Sequence, residues 1–396
     1  MKNIDNINGF VPALDGIRGY AILLVIIIHT FHTFIVNRGY SADPGIKMLD
    51  SIAGFGIYGV DLFFVLSGFL ITGILINQVN SNNYFKAFYI KRVLRIFPLY
   101  YIYLLAIVIL VPLLVSYVRF NITSLYVYFI YLQNMFYSSG TLQDYLLCHL
   151  WSLAVEEHFY LIWPLIVYFI KPKKVIIISI VFIIIAIMLR SYIILYSHIR
   201  PSLADRFTLC RIDSIFFGCL LAYGLRSISF NNYLHKHKYV MLLISGLISL
   251  VTSLLLIWNI NENIHHVISY TVYGVFFTAI LNVVMFVDTT SLINKIFDNK
   301  LAKFFGKYSY SMYIIHMPIT AGLYAIYFED APGYALLNAG IFFATTTGLT
   351  VIGSLISWHI LEKHFIKLKI KLANNQAMQP IKLEEEQSLS FTGHLQ

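Results

Sequence analysis

Charge is what this 396-residue chain has least of: Asp, Glu, Lys and Arg make up 12% of it, where soluble domains carry about a quarter. Hydrophobic residues make up 59% and mean hydropathy is +0.74, which leaves too little polar surface to cover a water-soluble globule. The alternating segments of about ten residues that build a transmembrane β-barrel are missing too. Cysteine is scarce: Cys148, Cys210 and Cys219 offer neither metal-ligand spacing nor a disulfide framework. Topology would allow one Cys148–Cys210 bond near the outer surface, but separate thiols are the expected state. No phosphate loop, dinucleotide fingerprint, His-Glu-x-x-His or Gly-x-Ser-x-Gly elbow occurs, so hydrolase, kinase and redox-cofactor chemistry have no motif behind them. No metal is expected.

What the chain does contain is a series of apolar runs of about 18–25 residues, long enough to cross about 30 Å of hydrocarbon at 1.5 Å per residue. Spans are predicted at roughly 19–37, 52–76, 97–117, 151–170, 175–195, 208–225, 239–258, 266–287, 309–328 and 337–360. The fold class expected is therefore all-α, a polytopic transmembrane helix bundle of about ten spans. The run over 19–36 exceeds a signal-peptide core of about 7–15 residues and reads as a retained first span.

Segment 121–137 is apolar but short, and carries Asn121, Thr123, Gln133 and Asn134. Charge argues against its crossing. With both termini cytoplasmic and this segment on one side, the clusters Lys91, Arg92, Arg95; Lys171, Lys173, Lys174; Lys236, Lys238; and Lys295, Lys300, Lys303, Lys307 all face inward, as the positive-inside rule requires. A crossing at 121–137 would turn the last three outward. The same rule explains 28 Lys plus Arg against 19 Asp plus Glu without a nucleic-acid partner. Residues 1–366 form the expected membrane domain, and 367–396 a cytoplasmic tail, disordered beyond about 372.

Ionisable groups in hydrocarbon cost about 2.5–3.5 kcal/mol on insertion scales, so each one marks a function or a buried pair. Arg18 and His29 are eleven residues apart on the first span, about 16 Å and three turns. Both can therefore line one face of a groove, although a snorkelling arginine and an interfacial histidine would show the same spacing. Asp61 lies in the second span. Glu156 and Glu157 lie one or two turns inside the outer end of the fourth and point about 100° apart, so only one can face His29; the other would face water or a base such as Arg206. Arg92 and Arg95, at i and i+3, present one basic face that suits a phosphorylated ligand or anionic membrane lipid. Arg211 and Asp213 are two apart, so each is expected to pair with another span. Ser309, Tyr313 and His316 share a face that could line a cavity or join helices.

These residues fall in a recognisable order. Leu14-Asp15-Gly16-Ile17-Arg18-Gly19 followed by His29, Asp61 to Phe69 with Ser67-Gly68, Arg92-x-x-Arg95 with Phe97-Pro98, Trp151-Ser152-Leu153 with Glu156-Glu157, Arg211-x-Asp213 with Gly218, and Tyr308-Ser309 with His316 resemble the membrane-bound acyltransferase-3 family across about residues 10–365. The resemblance implies a bundle of about ten helices in the bacterial inner membrane. It implies O-acylation of an extracytoplasmic acceptor from acetyl-CoA or another cytosolic acyl-CoA. It further implies His29 as the essential histidine, Arg18, Arg92 and Arg95 serving the donor, and a glutamate, Glu156 before Glu157, supporting the reaction. The family's usual Gln after these glutamates is His158 here, a second candidate base. Asp61, Ser67, Arg211, Asp213, Tyr308, Ser309 and His316 are expected in support.

Many relatives carry a further extracytoplasmic domain; this chain is expected to be of the stand-alone type. It would act directly on a cell-surface glycan or lipid-linked saccharide, or hand its acyl group to an extracytoplasmic partner. The expected mechanism has His29, oriented by Glu156, deprotonate an acceptor hydroxyl, with an acyl-histidine as the alternative chemistry. The competing class is a transporter or flippase for a lipid-linked saccharide, which would use the same buried charges as a polar pathway and release no thiol.

Overall fold

A computed structural model describes residues 11–37, 44–114, 120, 122–136, 142–197, 201–257, 262–327 and 335–368, all of their regular structure helical. The predicted tail beyond 372 lies outside these residues. The main helices are α1 (Pro12–Asn37), α2 (Gly59–Gln78), α3 (Tyr84–Leu114), α4 (Ile122–Phe129), α5 (Trp151–Phe169), α6 (Pro172–Leu195), α7 (Asp213–Gly224), α8 (Ile228–Ile257), α9 (Glu262–Phe286), α10 (Lys300–Lys307), α11 (Ser309–Tyr327) and α12 (Ala335–Ser357). A helix thus stands at each of the ten predicted spans.

Seven segments among the described residues are long and apolar enough to cross a membrane: those built on α1, α2, α3, α6, α8, α9 and α12. Three predicted spans fall outside that set. The 12-residue α7 rises only about 18 Å, while α5 and α11, 19 residues each, carry Glu156, Glu157 and His158, and Ser309, Ser311 and His316. Residues of these two helices help line the arginine-rich cavity described below.

Segment 121–137 yields the 8-residue α4, about 12 Å long, and then a turn in which Tyr131 takes φ 57°. So short a helix cannot traverse about 30 Å of hydrocarbon. Of the polar residues that made the segment ambiguous, Gln133 and Asn134 are buried and bonded: Gln133 donates to the Leu150 carbonyl (2.9 Å), and Asn134 to Thr208 Oγ1 (2.8 Å); Asn121 lies outside the described residues.

Without water there is little hydrophobic drive between helices, so close backbone approach and hydrogen bonds hold them together. A Cβ on Gly68 would lie 1.9 Å from the Ile215 carbonyl oxygen, and one on Gly218 2.1 Å from that of Val65; only glycine permits the α2–α7 contact. Tyrosines supply the hydrogen bonds. Tyr100 donates to Tyr128 O (2.7 Å), Tyr103 to Leu146 O (2.8 Å), Tyr84 to Pro164 O (3.0 Å) and Tyr310 to Ile96 O (2.6 Å). None of the three cysteines is in a disulfide.

Candidate functional site

Two polar systems occupy the interior. The first joins α2, α6, α7 and α9. Arg211 forks onto both Asp61 oxygens (3.0 and 2.9 Å), and Ser214 adds a bond to Asp61 (2.8 Å). Arg190 donates to Asp213 (3.0 Å), which Thr271 also reaches (2.6 Å). All four charged side chains are at most 1% exposed. Arg211 and Asp213 thus do find their partners on other helices. Arg190, which sequence reasoning passed over, had a clear signal as the one charged residue inside the apolar stretch of α6.

The second system surrounds a cavity of about 190 Å³ between α1, α2, α3, α5 and α11. Arg18, Arg92, Arg95, Ser67, Glu156 and Ser309 all line it. Its α2 wall runs from Ile74 to Val60, about 21 Å of helix rise. Arg92 and Arg95 make no ion pair among the described residues. Arg92 instead lies over the rings of Phe88 (5.7 Å) and Tyr160 (5.6 Å), and its buried Nε has no hydrogen-bond partner. Tyr160 donates to Glu156 Oε2 (2.9 Å), and Ser67 Oγ lies 2.5 Å from the same hydroxyl. Arg18 bonds Asp15 one turn earlier (2.5 Å). Glu157 does not line the cavity, and its buried Oε1 lacks a hydrogen-bond partner. His158 is bonded to Thr208 Oγ1 (2.7 Å), and Tyr308 meets Trp358 edge-on (5.5 Å).

The cavity closes at Tyr313 and Ser152, whose hydroxyls are 2.5 Å apart. Immediately beyond lie three histidines. The Tyr313 ring is 5.6 Å from that of His149 and 5.7 Å from that of His316, and the His316 ring is 5.0 Å from that of His29. Their partners fix the tautomers, because a carbonyl oxygen can only accept. His29 Nδ1 contacts Val25 O (2.8 Å), His316 Nδ1 contacts Tyr313 O (2.7 Å), and His149 Nε2 contacts Ile314 O (3.1 Å); each of these nitrogens carries the proton. His316 Nε2 is therefore a lone pair and accepts from His29 Nδ1 at 3.3 Å, which leaves His29 Nε2 unprotonated.

This corrects one expectation. Glu156 does not orient His29, since its bonding partners are in the arginine-lined cavity; His316 stands behind His29 instead. Depth alone could not distinguish the two, because the sequence carries no information on which of two residues at similar depth shares a helix interface with α1. His149 was also missed, though it stands only two residues ahead of Trp151, where the Trp-Ser-Leu motif begins. Among the described residues no group of three His, Cys, Asp or Glu side chains is arranged to hold a metal ion.

A second cavity, of about 410 Å³, adjoins the first and shares Arg18, Arg95, Ser309 and Tyr310 with it. It lies at the end of the bundle that carries Lys303 and Lys307.

The family model described as an acyltransferase domain, acyltransferase-3, matches residues 11–359. A protein of Staphylococcus aureus (strain COL) with the provisional name O-acetyltransferase is 28% identical over 384 residues, covering 92% of this chain and 59% of its own. The O-acetyltransferase OatA of Staphylococcus aureus (strain NCTC 8325 / PS 47) is 27% identical over 340 residues, covering 81% of this chain and 52% of its own. The chain thus spans between half and three fifths of the length of these relatives. No solved structure matches it.

Proposed function

The chain belongs to the membrane-bound acyltransferase-3 family and is a bacterial multi-pass membrane protein; we propose that it moves an acyl group, foremost acetyl, from cytosolic acyl-coenzyme A to a hydroxyl of a cell-surface polysaccharide or glycolipid. One observation carries this reading: a cavity lined by three arginines ends at the Tyr313–Ser152 pair, and beyond Tyr313 stands a histidine cluster in which His29 Nε2 is left unprotonated. Two of the arginines, Arg92 and Arg95, have no carboxylate partner among the described residues and suit the phosphates of an anionic donor. A space about 21 Å long and only about 190 Å³ in volume suits a slender arm rather than a nucleotide.

In this proposal the thioester arrives at the Tyr313–Ser152 end, and Tyr313 swings aside to admit it to the histidines. His29 Nε2 removes the acceptor's hydroxyl proton as the oxygen attacks the thioester carbon. The imidazolium that results is supported by Val25 O and by the His316 Nε2 lone pair, both on its Nδ1 side. Collapse of the tetrahedral adduct breaks the carbon–sulfur bond, and the proton held on His29 leaves with the coenzyme A thiol. The ester stays on the acceptor.

The topology that serves this function has ten crossings, both termini cytoplasmic and α4 on one side. Reporters fused after Ile170 and after Leu225 should both read as cytoplasmic; outward reporters at both sites would overturn it. The enzyme reading is tested with purified protein in proteoliposomes, acetyl-CoA and an envelope-glycan extract. Coenzyme A thiol should appear in step with glycan-bound acetyl. Saccharide movement with no thiol release would favour a transporter.

A further inference from the structure

The second cavity has no task in the transfer just described. It is walled by Arg18, Arg95, Lys303, Lys307 and Trp358, with Asp15 and Glu362 as its acids. Lys303 is paired with Asp298 (2.5 Å) and Asp15 with Arg18 (2.5 Å). Lys307 is in neither pair; its ammonium lies 5.0 Å from the ring centres of both Tyr308 and Trp358. Trp358 and Glu362 bound a five-residue π-helical turn, Trp358–Glu362, a feature frequent at functional sites because the widened turn re-aims its side chains. At about 410 Å³ the space lies within the usual range for a small-molecule site, about 300–1,000 Å³, and the arm cavity at about 190 Å³ does not.

We infer that this second cavity is the subsite for the phosphorylated adenosine end of the donor, with Lys303 and Lys307 selecting for a phosphate on the ribose. The inference rests on the acyl-CoA reading above. The shared residues Arg18 and Arg95 stand where the two cavities meet, so a donor with its arm in the first would pass its diphosphate between these guanidiniums. Beyond them the ribose phosphate meets the two lysines, one turn apart on α10. The purine lies against Trp358. Glu362 accepts from Ser357 Oγ (2.9 Å), and a carboxylate has capacity for further hydrogen bonds; it is the acceptor for the purine's exocyclic amino group. A headgroup phosphate of an anionic lipid presents the same chemistry, so the test separates the two sources.

The measurement is kcat/KM for acetyl-CoA, 3′-dephospho-acetyl-CoA and acetyl-phosphopantetheine, using the full chain in phosphatidylcholine proteoliposomes with and without phosphatidylglycerol. Wild type should prefer acetyl-CoA to its 3′-dephospho form by about tenfold or more, as expected for lost charge-assisted hydrogen bonds, and should use acetyl-phosphopantetheine still less well. In the Lys303→Gln/Lys307→Gln variant the preference for the 3′-phosphate should fall toward one, and Trp358→Leu should narrow the gap between 3′-dephospho-acetyl-CoA and acetyl-phosphopantetheine. Equal use of all three donors by wild type would overturn the subsite and leave acyl transfer standing, with no dependence on how the variants fold. A lysine effect seen only when phosphatidylglycerol is present would assign the cavity to lipid and overturn it too. Absence of thiol release from every donor would refute the acyl-CoA reading itself.

Discussion

The two buried charge systems are built from the same residue types and do opposite things. In the α2–α6–α7–α9 network each guanidinium is matched by a carboxylate: Arg211 by Asp61 and Arg190 by Asp213. Along the cavity Arg92 and Arg95 have no carboxylate partner among the described residues, and Glu156 is held by Tyr160 rather than by an arginine. Buried ions matched in place join helices. Cations held open beside a cavity are poised for an anion that comes and goes. The glycines repeat the contrast. Gly68 and Gly218 let α2 and α7 lock backbone to backbone around the closed network, whereas the cavity wall is formed by side chains that leave a gap.

The largest effect is expected from breaking the closed system. Asp61→Asn strands Arg211 in the bundle and should cost about 3–5 kcal/mol of stability, seen as loss of folded protein from detergent-solubilised membranes on fluorescence-detected chromatography. A wild-type profile for this variant would remove the distinction between the two systems. Next is His29→Ala, expected to lower acyl transfer by about 10²–10⁴-fold with an unchanged chromatographic profile; normal transfer would remove His29 from the chemistry. His316→Ala should lower kcat by about tenfold without changing donor KM, because His316 steadies the imidazolium and does not meet the donor. A change confined to KM would contradict that role. Smallest is Arg92→Lys, which keeps the charge but loses the planar fork. Donor KM should rise about tenfold with stability shifted by less than about 1 kcal/mol, and a stability loss as large as that of Asp61→Asn would mean that Arg92 is structural after all.

The helices were legible because hydrophobic length and charge placement are properties of the chain itself. A helix is found at each predicted span, and α4 is too short to cross. Arg18, Arg92 and Arg95 were legible as separate candidates, since ionisable residues in or beside apolar runs stand out; the family resemblance alone grouped them around one donor. The pairing of elements was not. His29 meets His316, 287 residues away, and Tyr160 holds Glu156 and Ser67 together, because of which helix faces which, and spacing along one helix does not encode that. The second cavity was hidden for the same reason. Its lysines read as positive-inside residues until α10 is seen beside Trp358 and the end of α3 that carries Arg95.

The central claim is that the donor enters from the basic end of the bundle and the acceptor is met at the histidine end. Inverted and right-side-out membrane vesicles from cells expressing the chain, each given acetyl-CoA labelled in the acetyl group, test this most directly. Inverted vesicles should label envelope glycan at once, and right-side-out vesicles only after permeabilisation. Equal labelling of intact right-side-out vesicles would show that the donor enters from the histidine face and would contradict the proposed path.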